Sequence, residues 1–241
     1  MSAIHPKRKI LVTGSRGNLG GLLCEHNGVS GIDRDTLDIT DEVAVVRYFK
    51  RERFDIIIHC AAFTDVSGAE KNRDACYTVN VIGTENLVKH FKGKKFVYIS
   101  TEYVFDGTKG NYRENDTPNP VNYYALTKLL GEMVIRQYQR TLIVRTSFKP
   151  DGPWPHPKAF VDQWTSADYA SERAPQILQA ALHPTLFGIV HIGGARKSIY
   201  ELAKKQTPGV GQMSIADIPT HLPRDVSLDS SYWESVKKAQ S

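Results

Sequence analysis

Lys9-Ile10-Leu11-Val12-Thr13-Gly14-Ser15-Arg16-Gly17-Asn18-Leu19-Gly20 decides the fold class of this chain. Ile10 to Val12 form a short apolar run of the kind that makes a buried strand. Gly14, Gly17 and Gly20 follow at three-residue spacing, and Leu22-Leu23 opens an apolar helical stretch. Strand, glycine turn and helix in succession are the context in which such a turn holds a nucleotide. The glycines let the backbone turn tightly and let a pyrophosphate approach. The helix N-terminus then presents free N–H groups and the positive end of its dipole.

Reading outward, Asn27-Gly28 closes the first helix and Val29-Ser30-Gly31-Ile32 forms a second strand ending at Asp33-Arg34. An acid at that place accepts hydrogen bonds from an adenosine ribose, whereas an arginine meets a 2′-phosphate. Both are present, so NAD and NADP both stay open. Asp38 either reaches the adenine edge or caps a turn. Thr40 or Asp41 caps the next helix, with Val43, Val46 and Phe49 as its apolar positions. The third strand, 54–62, ends in Cys60-Ala61-Ala62, small residues that let a cofactor lie against the backbone. His59 reads as a core histidine and Cys60 as packing. A helix over 75–90 follows, with Asn80 as an exposed polar exception. The fourth strand, 95–100, ends in the hydroxyls of Ser100-Thr101 at the sheet edge where open α/β sheets bind ligands.

Pro118 and Pro120 punctuate a loop, and Asn122 caps a helix with an apolar stripe of Leu126, Leu129, Leu130, Met133 and Val134. In that helix Tyr124 and Lys128 leave one face a turn apart. A phenol is a poor acid at neutral pH, and a nearby ammonium favours its ionised form, so the pair can exchange a proton with a substrate oxygen. Beyond it the pattern gives a strand over 141–145 and an irregular proline-rich loop over 149–157. A helix over 165–182 has Pro175 as its break or start. A strand runs over 188–192, helices over 198–206 and 230–238, and an extended stretch over 218–223.

With 241 residues, 41% of them hydrophobic, the chain can build a substantial core. Its formal charge of +5 suits an anionic ligand such as a nucleotide. Basic residues are scattered apart from Lys7-Arg8-Lys9 and Lys237-Lys238, which argues against nucleic acid. Cys24, Cys60 and Cys76 form no metal-ligand spacing and no disulfide framework. With no apolar run long enough for a membrane span, the expectation is a cytoplasmic protein without a metal site.

Thr13-Gly14-x-x-Gly17-x-x-Gly20, Ala61-Ala62-Phe63-Thr64, Val79-Asn80 and Tyr124-x-x-x-Lys128 resemble the extended short-chain dehydrogenase/reductase superfamily. Ser100-Thr101-Glu102-Tyr103-Val104-Phe105-Asp106-Gly107, Pro120-Val121-Asn122-Tyr123-Tyr124, Thr127-Lys128-Leu129, Gly131-Glu132, Arg145-Thr146-Ser147 and Leu222-Pro223-Arg224 resemble, more narrowly, the dTDP-4-dehydrorhamnose reductase family. The resemblance implies a Rossmann-type, doubly wound α/β sheet. Residues 1–148 would form the NAD(P)-binding domain, completed by about 186–194, and 149–241 mainly a small substrate-binding lobe. It implies Thr101, Tyr124 and Lys128 as the catalytic set. Expected at the cofactor are Gly14, Ser15, Arg16, Gly17, Asn18, Leu19, Gly20, Asp33, Arg34, Asp38, Ile39, Cys60, Ala61, Ala62, Thr64, Asn80, Ser100, Tyr124, Lys128 and Thr146. Expected at the substrate are Thr64, Asp65, Thr101, Val104, Phe105, Phe148, Trp154 and Arg224, although Trp154 in its proline-rich loop equally suits pinning that loop to the core.

The implied reaction is reduction of the keto group of a nucleotide-activated 4-keto-6-deoxy sugar by NADPH or NADH. Two departures stand out: Glu102 where the family commonly has Asp, read as conservative, and Phe148 where it often has Trp. Glu102-Tyr103 also differs from the Asp-Glu of related dehydratases. The regulatory subunit of methionine adenosyltransferase resembles the same family, so a non-catalytic NAD(P)-binding protein is the alternative, with sugar-nucleotide epimerisation a third. The part after the sixth strand is short, so the lobe is either reduced or borrows from a partner chain, which keeps a homodimer open.

Overall fold

The structure, a computed structural model, describes residues 8–218 and 222–239. Lys7, and residues 219–221 of the expected extended stretch, lie outside them. In chain order the first part holds β1 (Ile10–Thr13), α1 (Asn18–Cys24), β2 (Val29–Ile32), α2 (Glu42–Arg51), β3 (Ile56–His59), α3 (Val66–Lys71), α4 (Arg73–Tyr77), a π-helical turn (Thr78–Ile82), α5 (Gly83–His90), β4 (Lys95–Thr101), α6 (Tyr123–Ile135) and β5 (Thr141–Thr146). After it come the short strands β6 (Phe148–Lys149), β7 (Lys158–Phe160), β8 (Trp164–Thr165) and β9 (Asp168–Tyr169). The chain ends with α7 (Ala170–Leu182), β10 (Gly188–Ile192), β11 (Lys197–Ser198), α8 (Ile199–Gln206), β12 (Gly211–Met213) and α9 (Ser231–Lys238).

Six strands form one parallel sheet in the order β2-β1-β3-β4-β5-β10, the Rossmann-type arrangement expected from the sequence. β1, β3, β4 and β5 are buried along their whole length, which is why they read as continuous apolar runs. The pleat sends alternate side chains to opposite faces. Ile10, Val12, Ile58, Val97 and Val144 pack on one face with Leu23 of α1, Ile177 of α7 and Trp233 of α9. Leu11, Ile57, Tyr98 and Ile143 pack on the other with Val45 of α2, Leu87 of α5 and Ile135 of α6. The strand order turns back between β1 and β3, so a crevice opens there at the carboxyl ends of the strands.

Several local expectations change. In α2 it is Val45 and Phe49 that go inside, while Val43 is 66% exposed. In α6 the expected apolar stripe is divided: Leu126 and Met133 are exposed, while Leu129, Leu130 and Val134 are half-buried. The buried positions are Ala125, Thr127, Lys128, Gly131, Glu132 and Ile135. Propensity and hydrophobicity are overridden here because the inner positions meet polar groups of the sheet. Gly131 is needed for the approach: a Cβ there would stand 2.9 Å from the Tyr98 ring and 3.0 Å from the Asn80 carbonyl oxygen. The expected helix over 75–90 is broken into α4, the π turn and α5, and α3 precedes it. Residues 164–165 and 168–169 are short strands joined by an irregular pair, rather than the start of α7, and α7 continues through Pro175. Its buried face of Ala174, Ile177, Ala180 and Ala181 offsets the missing N–H.

One ion pair is wholly enclosed. Arg145 of β5 donates from Nε to Glu132 Oε1 at 2.9 Å and from Nη2 to Oε2 at 2.7 Å, and both side chains are inaccessible to solvent. Ser100 Oγ of β4 donates to the same carboxylate at 2.6 Å. Removing one partner of such a pair strands the other charge, at about 3–5 kcal/mol, whereas replacing both with apolar groups is far milder. We therefore expect Arg145→Met to lower the urea-unfolding free energy by about that much. The Glu132→Met/Arg145→Met double variant should recover most of the loss.

Candidate active site

A cleft of about 880 Å³ runs along the carboxyl edge of the sheet. One end is the glycine turn, where Gly14, Arg16, Gly17, Asn18, Leu19 and Gly20 line the wall. Gly14 has φ +70°, and a Cβ there would meet the Ala61 backbone at 2.8 Å, so only glycine lets the turn lie against the end of β3. Gly17 caps α1 without a side chain, and the first turn of α1 holds no acidic residue. Its amides are left to a bound anion, so the residues present fit a dinucleotide pyrophosphate. Ser15 lies behind the turn, its N–H donating to the Ile32 carbonyl at 3.1 Å, and is not in the wall.

Past the end of β2, Asp33 and Arg34 meet different partners. The Asp33 carboxylate accepts the backbone N–H of Arg16 at 2.8 Å and of Arg34 at 2.9 Å, which ties the two loops together. The guanidinium groups stand at the mouth, Arg16 paired with Asp35 and Arg34 with Asp38. Asp38 caps its turn by accepting from Thr40 N at 2.9 Å and Thr40 Oγ1 at 2.6 Å, while still lining the wall beside Ile39.

Cys60, Ala61, Ala62 and Thr64 continue the wall. Burial pushes the Cys60 thiol up to about 12, which leaves it an inert packing group. His59 is enclosed, bridging Thr13 Oγ1 at 2.7 Å and Thr84 Oγ1 at 3.0 Å, and burial pushes it down to about 3. Asn80 is buried rather than exposed. It sits in the π turn behind the wall, accepting from Phe63 N at 2.8 Å and donating to Phe63 O at 3.1 Å and Thr127 Oγ1 at 2.9 Å. It thus shapes the loop after β3 without reaching the cleft.

In the middle, Ser100, Thr101, Tyr124, Lys128 and Thr146 share the wall. Asn122 caps α6 through Oδ1 and the Ala125 N–H at 2.9 Å, which orients Tyr124 in the first turn. The phenol of Tyr124 is hydrogen-bonded with the Thr101 hydroxyl; burial, opposed by that bond, pushes it up to about 12. Lys128 stands 4.0 Å over the Tyr98 ring. Burial pushes its ammonium down to about 7 against the opposing pull of Glu132. The expected lowering of the phenol by Lys128 is therefore not what this geometry displays. Burial thus moves the two groups in opposite directions, the phenol up and the ammonium down.

The far end is built largely by residues the sequence did not offer, with Phe148 the expected exception. Glu102, Tyr103, Ser147, Phe148, Lys149, Gln163, Thr165, Ile199 and Val226 line it. Of the expected substrate residues, Thr64, Thr101 and Phe148 line the cleft. Asp65 instead caps α3, accepting from Gly68 N at 2.9 Å. Val104 and Phe105 are enclosed in a separate cluster with Tyr112 and Leu228. Trp154 pins its loop, donating from Nε1 to the Lys158 carbonyl at 3.2 Å and packing beside Ala159 and Ile199. Arg224 is exposed and lies outside the wall, and its neighbour Asp225 pairs with Arg196.

Comparison with known proteins joins this geometry to a family. A family model described as the RmlD substrate binding domain matches residues 8–151. The chain belongs to that family. The dTDP-4-dehydrorhamnose reductase of Mycobacterium tuberculosis is 30% identical over 265 residues, covering 93% of this chain and 86% of that protein. The beta subunit of methionine adenosyltransferase 2 of Danio rerio is 35% identical over 147 residues, but these span only 55% of this chain and 45% of that protein. Among solved structures, a dTDP-4-dehydrorhamnose reductase of Bacillus anthracis in complex with NADP superposes with a TM-score of 0.87 at 28% identity, covering 95% of this chain and 92% of that one.

Within this RmlD-family cleft Glu102 is more than a conservative replacement for aspartate. It is 1% exposed and accepts from Thr165 Oγ1 at 2.5 Å and from Ser166 N at 3.4 Å, with Ser147 also donating. It therefore clamps the end of β4 to the short strands beyond β5. Burial pushes its carboxyl up to about 7 despite these donors. A raised carboxyl binds more protons folded than unfolded between its two pKa values, so folding loses stability as pH rises through that window. We expect Glu102→Gln, which cannot ionise, to gain on the wild type as pH rises from about 4.5 to about 7. The gain should be on the order of 2 kcal/mol across the window, read from urea unfolding at a series of pH values.

Proposed function

We propose that the protein is an NADPH-dependent reductase of the keto group of a nucleotide-activated 4-keto-6-deoxy sugar. The observation that carries this reading is the convergence of Thr101, Tyr124 and Lys128 on one wall of a cleft whose other end is the Gly14–Gly20 turn. The reductase relatives, one of them matched over most of both chains, support the substrate class. In this reading residues 149–241 mainly supply the sugar end of the cleft and the protein works in the cytoplasm.

When bound, the nicotinamide cofactor supplies the hydride. Gly14, Gly17 and the α1 amides would hold its pyrophosphate, and Ala61, Ala62 and Lys128 would flank its far half. The residues of this chain perform the rest. Thr101 holds the substrate carbonyl oxygen beside the phenol. Tyr124, protonated at neutral pH, delivers its proton to that oxygen as it gains negative charge, so the carbonyl becomes a hydroxyl. Lys128, near 7 and one helical turn away, replenishes the phenol. NADPH is favoured over NADH in this reading because the Asp33 carboxylate is already engaged by two backbone amides, while the guanidinium groups of Arg16 and Arg34, paired with Asp35 and Asp38 at the mouth, would turn to a 2′-phosphate.

The second reading, a non-catalytic partner protein, has the beta-subunit relative in its favour. It gives no reason for a protonated phenol beside a cleft hydroxyl.

Two measurements test the proposal. With a panel of nucleotide 4-keto-6-deoxy sugars, the pure protein should oxidise NADPH, and Tyr124→Phe should lower kcat by about 10²–10⁴. No oxidation by the wild type across the panel would favour the second reading, and product without net NADPH loss would indicate epimerisation. The Arg16→Ala/Arg34→Ala variant should lose about tenfold or more in kcat/KM for NADPH and little for NADH, since a charge-assisted phosphate contact contributes about 1.5–3 kcal/mol.

A further inference from the structure

Lys149 is a charge that the reaction above leaves unused. It follows Phe148 in β6, three residues past the end of β5 at Thr146, and lines the sugar end of the cleft. Among the described residues its ammonium makes no hydrogen bond and no ion pair. Burial pushes it below the ordinary lysine range, with only Glu102 pulling the other way from a distance. The carboxylates nearby are spent. Glu102 takes Thr165, Ser147 and Ser166. Asp168, opposite Phe148 in the β6–β9 pairing, takes Arg173, Lys197 and Lys205. Asp151 takes the Ser171 backbone and hydroxyl.

A partly desolvated ammonium facing a cleft, with no ion pair and its nearby carboxylate engaged by other donors, is costly unless a ligand completes it. The polar groups that line this end are Tyr103 and Gln163, bonded to each other, and Glu102 with its donors Thr165 and Ser147. A neutral sugar ring alone would leave the charge uncompensated. We propose that Lys149 recognises an oxyanion of the substrate at the sugar end of the cleft, either a diphosphate oxygen or a carboxylate carried by the sugar. This rests on the nucleotide-sugar reading above. It makes Lys149 a residue that sets substrate specificity rather than one that moves protons.

The test is calorimetric binding to the NADPH-loaded protein, wild type against Lys149→Met and Lys149→Arg. The probes are dTDP, UDP, UDP-glucose and UDP-glucuronate, with NADPH affinity as the control for folding. A tenfold or greater loss for dTDP or UDP in Lys149→Met, within threefold of wild type in Lys149→Arg, assigns the oxyanion to the diphosphate. An equal loss confined to UDP-glucuronate, with UDP-glucose unchanged, assigns it to a sugar carboxylate. Unchanged affinity for every probe in Lys149→Met overturns the proposal and leaves the reductase reading standing. Failure of the wild type to bind any of the four overturns both.

Discussion

The buried pairing of Arg145 with Glu132 is the constraint on which the rest of the site depends. It joins three elements at one carboxylate: α6 through Glu132, β5 through Arg145, and β4 through Ser100. Each is one step from a residue of the cleft wall. Ser100 precedes Thr101, Arg145 precedes Thr146, and Glu132 lies one turn beyond Lys128 on the same face of α6. A helix packed only by apolar contacts can slide or rotate by fractions of an ångström at little cost. A bidentate guanidinium–carboxylate pair fixes both position and angle. The same charge also bears on chemistry, since Glu132 opposes the burial that would otherwise neutralise Lys128 further.

The pair also accounts for the inverted character of α6. With its inner face committed to Thr127, Lys128, Gly131 and Glu132, Leu126 and Met133 turn outward and Leu129 and Leu130 are only half-buried. A polar inner face is tolerated because every group on it is met. Thr127 Oγ1 takes Asn80 and donates to the Tyr124 carbonyl, Lys128 covers the Tyr98 ring, and Glu132 is saturated by three donors. Stability and function are thus written in the same residues, and substitutions on this face strike both at once.

What was legible in the sequence follows from which forces act locally. The strands β1, β3, β4 and β5 are buried on both faces, so their apolar runs announced them and, with the glycine turn, the parallel sheet. Gly14, Thr101, Tyr124 and Lys128 could be placed on the cleft because strand ends and a helical spacing position them. The sugar end could not be read. Gln163, Thr165, Ile199 and Val226 arrive from separate, largely very short elements with no periodicity, and only tertiary packing brings them together. Trp154, Phe105 and Val104 were expected at the substrate from the resemblance, yet large apolar side chains are equally what a core requires. Asn80 looked exposed because its partner, the Phe63 backbone, lies 17 residues upstream.

The π-helical turn at Thr78–Ile82 has a consequence for how this region tolerates change. Such a turn carries one residue more than the α-helix around it. Loss of a single residue there would let the segment relax to ordinary α-helix with its backbone bonds intact. Because the wide turn absorbs that residue, the helix before it and the helix after it would keep nearly the same phase. What would be lost is the bulge itself: Thr78 and Val79, which face the cleft from inside the turn, and Asn80, which holds the loop after β3, would be redrawn onto an ordinary helical face. The extra residue works as a local outward step in an otherwise continuous helix: a length change that is harmless to helicity would be ruinous to the site.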